Sequence, residues 1–530
     1  MDSCDIPRSI GLENIIPGGG LKARLELNMK RLEQPDYHFD FAVKQTPQAP
    51  GDYLGRTLLA RTLLWRALKE KPGHLDELAR RLPEAFNPLG YVGEIMPGTI
   101  KELVIGGHNG MLRGLCEYYT LTGDENIFGL IETILDNLII PFCGKIDTYP
   151  DINPEMMLDG EQVALVWGET GGWELSTDIG TIYLALDGIT HAYRLRPSPQ
   201  LKAVIEKMIR QYSATDLIKI NAQTHSSLSA LRGILRFYES TGHENAGYLE
   251  LAEKVFNLYM ENAETENYAN YNWFERPEWT EPCAVVDAFT VAVWLWKLTG
   301  AAKYLRHSHL ILYNALLRGQ RPTGGFGCDN CVGTNGQLEI CEHTYEAKWC
   351  CNMRGAEGLA RAAEYGYFSS GNRIIIPFMA DSTATLDFDD GKVVIGQRSN
   401  YPYGGETQLK IILSASAGEK EIAVFLPDWI DKESVNLINA SGNIPYAIEG
   451  DFLIVRTSLL TGDIMTLRFS MPLRREAPHN ERAAGKYHRW FLGPLLLGSE
   501  NGGELEPVCK RIDPDGETKK IQVLFEGTAI

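Results

Sequence analysis

The feature that most constrains the fold is a change in the spacing of apolar residues near residue 370. From about residue 21 to 365 the spacing is helical, as in the i, i+4 rhythm of Leu54, Leu58, Leu59, Leu63 and Ala67. From about residue 372 the chain turns into short, β-branched runs bounded by turn residues. We therefore predict a mainly α chain followed by a β domain.

The β-type runs lie at 373–376, 392–395, 408–413 and 421–426, with Gly-containing turns between them. Several short strands at such close spacing are typical of an antiparallel β-sandwich. We predict an N-terminal leader segment at 1–20, a helical domain at 21–369, and a β-sandwich domain with a C-terminal tail at 370–530.

The helical part contains a weak repeat in which an apolar helix ends at Thr-Gly, at 122–123, 241–242 and 299–300. Glycine can take the left-handed conformation that closes a helix. Repeated helical hairpins over about 340 residues predict a closed ring or a solenoid, and we favour the ring.

Charge and composition exclude several classes of protein. The chain has 51 Lys+Arg against 69 Asp+Glu, a net charge of −18, which disfavours a nucleic-acid partner. We find no stretch of about 18 uncharged apolar residues, so we expect no membrane partner. The first 20 residues lack a basic start followed by an apolar run, so we expect no secretory signal. Ten cysteines are too few for a disulfide scaffold.

Two pairs of residues suggest a metal site. Glu281 and Cys283 precede one apolar helix, with Pro282 suited to its first turn, and Cys350 and Cys351 precede another. Free N–H groups at a helix N-terminus favour thiolate. Three thiolates and one carboxylate make a tetrahedral Zn²⁺ set.

The spacing leaves two alternatives open. Cys328 and Cys331 have the CxxC spacing of a zinc ribbon and could join Cys350 and Cys351, with Cys341 nearby. The cysteines could also be small buried hydrophobic residues without a metal.

Trp173 and Glu174 are candidates for substrate binding. They follow two glycines in a predicted loop before a helix, and an aromatic ring with a carboxylate suits a sugar face and its hydroxyls. An ordinary helix start is equally compatible with this pattern.

The motifs resemble glycoside hydrolase family 127, which contains the β-L-arabinofuranosidases. They are Glu-Pro-Cys-Ala at 281–284, Leu-Thr-Gly at 298–300, Leu-Tyr-Asn at 312–314 and Trp-Cys-Cys-Asn at 349–352, in the family's order. Weaker similarities at 401–405, 426–429, 461–463 and 492–495 extend the resemblance over roughly residues 50–500. It implies an (α/α)6 barrel with an antiparallel β-sandwich.

The resemblance also implies a metal and a mechanism. Zn²⁺ would be bound by Glu281, Cys283, Cys350 and Cys351, and Cys350 would be the nucleophile. A free thiol is mostly protonated at neutral pH, because its pKa is about 8.5, whereas zinc binding ionises it. The Cys350 thiolate could then attack the anomeric carbon of a glycoside and give net retention.

The acid/base is where the chain departs from the family, since its segment upstream of Glu281 is shorter. Glu275 and Glu278 are the available carboxylates, and we choose Glu275 because it follows the stretch at 268–272 that is similar to a family motif. Either glutamate could instead be a solvated loop residue or pair with Arg276. Residues 352–353 also differ from the family, but both sulfurs remain.

His108 and His225 lie where the family has two helix-associated histidines, and the resemblance implies hydrogen bonds to sugar hydroxyls. A histidine beside a helix more often has a structural role.

Three hypotheses follow from the sequence. The first is a zinc-dependent, cysteine-nucleophile retaining glycosidase acting on L-arabinofuranosides or a related small glycoside or oligosaccharide. The second is a six-hairpin hydrolase that works by paired carboxylates, with structural cysteines. The third is a non-catalytic carbohydrate-binding protein with a structural zinc. The need for reduced thiols, with no signal seen, predicts a cytoplasmic location.

Overall fold

A computed structural model describes residues 6–96, 98–152, 165–334, 337–478, 488–498, 505–509 and 523–525. Its helices are α1 (Gly19–Leu32), α2 (Phe39–Ala42), α3 (Asp52–Leu68), α4 (Leu75–Arg81), α5 (Glu102–Thr122), α6 (Glu125–Ile134), α7 (Ala185–Leu195), α8 (Pro199–Ala214), α9 (Thr224–Ser240), α10 (Ala246–Asn262), α11 (Pro282–Thr299), α12 (Ala302–Ile311), α13 (Leu317–Gly319) and α14 (Cys351–Glu364). Short π-helical stretches continue α6 through Leu135–Cys143 and α12 through Leu312–Leu316.

Six of these helices form a closed inner ring. Each of α3, α5, α7, α9, α11 and α14 packs on the next, and α14 packs back on α3. An outer helix packs against each part of this ring, namely α1, α4, α6, α8, α10 and α12. The described helices therefore build an (α/α)6 barrel, as predicted, and the solenoid alternative is wrong.

Glycine allows α3 and α5 to pack backbone against backbone. A Cβ on Gly55 would lie 2.2 Å from the backbone nitrogen of Met111, and one on Gly114 would lie 2.4 Å from the carbonyl oxygen of Gly55. Such distances exclude any larger side chain without movement of the helices.

The predicted Thr-Gly helix ends are confirmed at three inner helices. Gly123 closes α5 with φ of 66°, Gly300 closes α11 with φ of 71°, and Gly242 follows α9 with φ of 67°. The left-handed conformation lets each inner helix turn back into the following outer helix.

The ring encloses a set of buried ion pairs, which we call the axial cluster. Its acids and bases lie on five inner helices and are almost inaccessible to solvent. The members are Asp187, Asp287, Glu357, Arg113, Arg232, Arg236 and Arg354.

The strands are β1 (Arg8–Ser9), β2 (Ile15–Pro17), β3 (Ile100–Lys101), β4 (Val166–Thr170), β5 (Trp173–Ser176), β6 (Cys328–Thr334), β7 (Gln337–Thr344), β8 (Phe368–Ser370), β9 (Arg373–Ile376), β10 (Ser382–Phe388), β11 (Gly391–Ser399), β12 (Glu406–Ser414), β13 (Glu419–Phe425), β14 (Asp431–Asn439), β15 (Gly442–Asn443), β16 (Ala447–Glu449), β17 (Phe452–Ser458), β18 (Ile464–Ser470), β19 (Leu473–Glu476), β20 (Arg489–Leu492), β21 (Leu495–Gly498), β22 (Glu506–Pro507) and β23 (Val523–Phe525).

The strands after α14 form the predicted β part of the chain. One sheet has the order β1-β8-β9-β13-β17-β16 and a second has the order β15-β14-β18-β12-β11-β10-β2. Pairing is antiparallel except between β9 and β13. The four runs identified in the sequence coincide with β9, β11, β12 and β13.

The N-terminal residues belong to these two sheets. β1 pairs with β8, and β2 pairs with β10, so each strand extends one edge. The described part of the predicted leader at 1–20 therefore packs with the β domain, and the division at 21–369 and 370–530 stays a prediction.

Two helical segments of the described chain are long and apolar enough to cross a membrane, by length and composition only. Pro282–Thr299 is the inner helix α11, and 83% of its most apolar window is buried in the barrel. Glu125–Thr148 begins with the outer helix α6, and 39% of its window is buried.

Candidate metal centre and active site

Two neighbouring inner helices bring the predicted metal ligands together. Glu281 caps the N-terminus of α11 and Cys283 lies in its first turn, while Cys350 caps α14 and Cys351 is its first residue. Because α11 and α14 are adjacent in the ring, their N-termini meet at one end of the barrel. The free N–H groups of both helices face this end.

The three sulfurs lie within reach of a single ion. Cys283 Sγ is 3.8 Å from Cys351 Sγ, and Cys350 Sγ is 3.3 Å from Cys351 Sγ. Adjacent cysteines converge here because Cys350 has non-helical backbone angles, φ of −147° and ψ of −57°, whereas Cys351 is helical. We call Glu281, Cys283, Cys350 and Cys351 the donor cluster.

The donor cluster favours protons in the absence of a cation. Burial raises the pKa of the Cys283 and Cys351 thiols well above the ordinary value. For Cys350, a hydrogen bond with Cys283 lowers the pKa, but the neighbouring Cys351 and burial outweigh it. Burial, followed by the charge of Asp178, raises the pKa of Glu281 to about 8.

The residues present fit a divalent cation. Glu281 Oε2 is buried and has no hydrogen-bond partner among the described residues. A buried oxygen without a partner is costly unless an ion binds it. The nearby cation of the protein is Arg56, whose Nη1 lies 3.6 Å from Cys283 Sγ, but its Nε already donates to Asp52 at 2.7 Å. The three sulfurs form one group within 4.8 Å, and Glu281 forms a second such group with Cys283 and His225. Thiolates and a carboxylate are ligand types that suit Zn²⁺.

His225 lies beside the donor cluster at the start of α9. Its Nδ1 is 2.8 Å from Asp287 Oδ2, so Nδ1 carries the proton and donates it to the carboxylate. A ring nitrogen of His225, a carboxylate oxygen of Glu281 and Cys283 Sγ all lie within 4.8 Å of one another. Burial lowers the pKa of His225 to about 4, against the opposing effect of Asp287.

A cavity of about 100 Å³ opens onto the donor cluster. Its wall includes Glu281, Cys350, Cys351 and His225. It also includes nine polar or aromatic residues outside the predicted set, which are Thr46, Asp52, Arg56, Asp178, Thr181, Gln223, Asn272, Trp279 and Trp349. With Cys328, three carboxylates, three indole or imidazole rings and three thiols surround the cavity, a composition suited to a polar ligand with an apolar face.

The model for the GH127 catalytic domain, described as β-L-arabinofuranosidase, matches residues 90–364, slightly more than half of the 530 residues. The chain belongs to glycoside hydrolase family 127. No curated protein matches this GH127 chain. Family membership makes it a glycoside hydrolase with a carbohydrate substrate, and we set aside the non-catalytic hypothesis.

Solved structures agree with the family. A GH127 β-arabinofuranosidase superimposes with a TM-score of 0.69 at 14% identity, covering 94% of the GH127 chain and 86% of the solved one. A GH127 β-L-arabinofuranosidase from Geobacillus stearothermophilus T6 gives a TM-score of 0.62 at 14% identity, with coverages of 90% and 80%. At this identity the likeness shows the fold.

The zinc-ribbon alternative is not favoured by the described residues. Cys328 lies on β6, lines the cavity and contacts the Cys351 thiol. Cys331 instead contacts the backbone of Glu266 and Asn267. Neither belongs to a group of three donors within ligand distance in the described ranges, and nor does Cys341.

His108 is a buried residue of the inner helix α5. Its Nδ1 donates to the carbonyl of Val104 at 2.7 Å, and its Nε2 accepts from the backbone N–H of Val92 at 3.0 Å. Both ring nitrogens therefore bind backbone in this GH127 chain, and a contact with substrate stays a prediction.

Trp173 and Glu174 lie on strand β5 rather than in the predicted loop. Trp173 is fully buried, donates from Nε1 to Thr148 Oγ1 at 3.1 Å and packs edge-on against Tyr149. Glu174 Oε2 lies 3.7 Å from Lys101 Nζ. Neither residue is in the cavity wall, so their role in substrate binding stays a prediction.

Glu275 and Glu278 differ in their surroundings. Glu278 forms an ion pair with Arg276 at 2.7 Å. Glu275 is half-buried, has a left-handed φ of 62°, and its backbone N–H donates to the carbonyl of Asn262 at 3.1 Å. A non-glycine residue in this conformation stores strain, which is common at functional sites. Neither glutamate lines the cavity.

The sequence reasoning missed Arg56, Asp52 and Asp178. Asp52 and Arg56 are four residues apart on α3 and form an ion pair within one helical turn. In most helices this spacing indicates an ion pair on the surface. Only closure of the helical ring brings the Asp52–Arg56 pair beside Cys283. Trp349 had a local signal, because it directly precedes Cys350.

Proposed function

We propose that this chain is a retaining glycoside hydrolase in which the Cys350 thiolate, held ionised by Zn²⁺, is the nucleophile, and that it acts on L-arabinofuranosides or a related small glycoside. The observation that carries the proposal is the grouping of three cysteine sulfurs and Glu281 around Cys283, beside a cavity that Glu281, Cys350 and Cys351 line. The names of the similar solved structures support the sugar class.

Glu281, Cys283, Cys350 and Cys351 would hold the ion. The bound cation would supply the positive charge that replaces the protons of these four side chains. Cys350 is the half-buried member of the cluster, while Cys283 and Cys351 are buried. Its sulfur is therefore the one that a substrate can approach.

The reaction proceeds in two displacements. Cys350 Sγ forms a bond to the anomeric carbon while the glycosidic C–O bond breaks, and Glu275 gives a proton to the departing oxygen. Glu275 then takes a proton from a water that attacks the same carbon and releases the thiolate. Two inversions give net retention.

The decisive experiment combines metal analysis with a nitrophenyl glycoside panel that includes both arabinofuranoside anomers. We expect one zinc per chain and activity on an arabinofuranoside. Cys350→Ser should lower kcat by roughly 10⁴-fold or more, since the nucleophile is lost. Cys331→Ser is the matched control, because Cys331 is buried but outside the donor cluster. Full activity in folded Cys350→Ser would contradict the proposal.

The acid/base is tested with Glu275→Gln, with Glu278→Gln as its control. Loss of a general acid lowers the rate by about 10²–10⁴-fold. We expect a larger loss on an alkyl glycoside than on a nitrophenyl glycoside, because a good leaving group needs less protonation. Equal effects of the two substitutions would remove Glu275 from this role.

A second candidate is hydrolysis by paired carboxylates. Asp178 and Glu281 both line the cavity, and burial together with Asp178 raises the pKa of Glu281 to about 8. A protonated and an ionised carboxylate are the pair that such a mechanism needs. Retained activity in Cys350→Ser with loss in Asp178→Asn would favour it.

We also propose a reducing compartment for the enzyme, since the mechanism needs three reduced thiols. The cytoplasmic location stays a prediction.

A further inference from the structure

Five potential ligands form two groups that share Cys283. Cys283, Cys350 and Cys351 form one group of three donors, and His225, Glu281 and Cys283 form another, each with all its ligand atoms within 4.8 Å of one another. A zinc site of the structural kind takes four protein ligands. With the donor cluster bound, one donor of the five is left over, and it is His225.

His225 is oriented as metal-binding histidines are. Metal-ligating histidines donate their second ring N–H to a carboxylate, which fixes the tautomer and leaves the other nitrogen as the ligand. Here Nδ1 donates to Asp287 at 2.8 Å. Asp287 is itself held by Ser229 at 2.6 Å and by Arg232 at 2.6 Å, so the carboxylate cannot easily turn away.

The opposite nitrogen has no strong partner. His225 Nε2 lies 3.5 Å from Arg56 Nη2, which is long for a hydrogen bond, and Arg56 is bound to Asp52 through Nε. A ring nitrogen of His225 lies within 4.8 Å of a Glu281 oxygen and of Cys283 Sγ, and Nε2 is the nitrogen that Asp287 does not bind.

A spare donor has a use in the proposed reaction. When Cys350 bonds to the anomeric carbon, its sulfur changes from a charged thiolate to a neutral thioether, which is a weaker ligand. The ion would keep three protein ligands unless another residue enters. The return of the thiolate after hydrolysis would restore the first set.

We propose that His225 is an alternate metal ligand, which takes the place of Cys350 when that sulfur is bonded to the sugar. The inference rests on the proposed function. The C–S bond forms as the glycosidic C–O bond breaks, the leaving oxygen takes its proton from the acid, and the His225 lone pair replaces the sulfur at the ion. No electrons are transferred, and the second displacement reverses the exchange.

The test is the zinc affinity of four proteins, measured by competition with a chromogenic chelator and without substrate. They are the wild type, Cys350→Ala, His225→Ala and the double variant. We expect His225→Ala to change the affinity by less than about threefold, because four donors remain. Cys350→Ala should weaken it by roughly tenfold, and adding His225→Ala should weaken it by a further factor of about 100.

His108→Ala in the Cys350→Ala background is the matched control. His108 is an equally buried histidine whose nitrogens bind backbone, and it lies outside both donor groups. It should leave the affinity of Cys350→Ala unchanged once thermal unfolding confirms that the variant is folded. Equal affinities of Cys350→Ala and the Cys350→Ala/His225→Ala variant would overturn the inference.

A second measurement avoids removing the sulfur. Alkylation of Cys350 with iodoacetamide, located by mass spectrometry, converts the sulfur into a thioether such as the reaction would form. In the cobalt-loaded protein, we expect a tetrahedral absorption spectrum after alkylation in the wild type and its loss in His225→Ala. An unchanged spectrum in His225→Ala would contradict the exchange. Absence of zinc from the wild type, or full activity of Cys350→Ser, would instead contradict the proposed function.

Discussion

The donor cluster and the axial cluster lie in the same barrel, are similarly buried, and have opposite pKa shifts. Burial by itself raises the pKa of Asp287, but Arg354 and Arg232 outweigh it and hold the pKa well below its usual range. Asp187 and Glu357 show the same balance with other arginines of the axial cluster. In the donor cluster burial prevails, and the pKa of Glu281 rises to about 8.

The difference shows what burial does to an acid. Removal from water favours the neutral form, and only a close counter-charge makes the ion stable. The axial cluster contains its own counter-charges and needs nothing from outside. Among the described residues, Arg56 is the cation in contact with a donor sulfur, and it is already paired with Asp52, so the donor cluster needs a further cation.

Removal of the metal should have the largest effect on this comparison. Chelation should abolish activity and lower the free energy of unfolding by about 4 kcal/mol relative to protein in zinc at 1,000 times its Kd. The barrel should stay helical, because the axial cluster is unaffected. Circular dichroism measures the helix content, thermal unfolding measures the stability, and added zinc should restore both stability and activity. An unchanged melting temperature and activity after metal loss would contradict the proposed difference between the two clusters.

Loss of one axial acid should destabilise the fold without releasing metal. Glu357→Gln leaves Arg113, Arg232 and Arg354 short of a buried counter-charge, at a cost of about 3–5 kcal/mol in the free energy of unfolding. Urea denaturation measures the cost, and metal analysis should find zinc still bound. The control is Glu406→Gln, whose pair with Arg468 is about half exposed and should be worth under about 1 kcal/mol.

The two clusters should also differ in how stability depends on pH. The pKa of Glu281 is raised from 4.5 to about 8 in the folded apoprotein, so the folded state binds the proton more tightly than the unfolded state does. Its contribution is therefore lost as pH rises from about 4.5 to 8, by at most about 1.4 kcal/mol per pH unit. The axial acids have lowered pKa values, and they lose stability only as pH falls below the unfolded pKa of about 4.

The measurement is chemical denaturation of apo and zinc-loaded protein between pH 5.5 and 8. Glu102, whose pKa burial also raises to about 8, contributes a slope of the same sign to both forms. The apoprotein should therefore lose more stability with rising pH than the zinc form. Glu281→Gln should reduce the difference, and the three thiols, which lose their protons when zinc binds, should account for the rest. Parallel curves for the two forms would contradict the assignment.

The smallest effect is expected at the CxxC pair. Cys331→Ala removes a buried sulfur that contacts the backbone of Glu266 and Asn267, which should cost about 1 kcal/mol and leave one zinc bound. Loss of the zinc in this variant would support the zinc-ribbon hypothesis, in which Cys328 and Cys331 bind the metal.

Much of the architecture followed from local patterns. The helical spacing before residue 365, the β-branched runs after 372 and the Thr-Gly helix ends are all short-range features, and the structure confirms each of them. Glu281 and Cys350 each cap a helix, as the helix-start signals predicted. The short strand β5 was missed, because it pairs with distant β3 and with β4.

The residues around the donor cluster were decided by closure of the ring. The periodicity of the sequence determined that helical hairpins form and that the cysteines stand at helix N-termini, since each depends on a few neighbouring residues. The number of six hairpins was implied by the family resemblance. Only the tertiary structure brought Arg56 of α3 to Cys283 and His225 of α9 to Glu281. The physical reason is that those contacts depend on the packing of one helix against another, far apart along the chain.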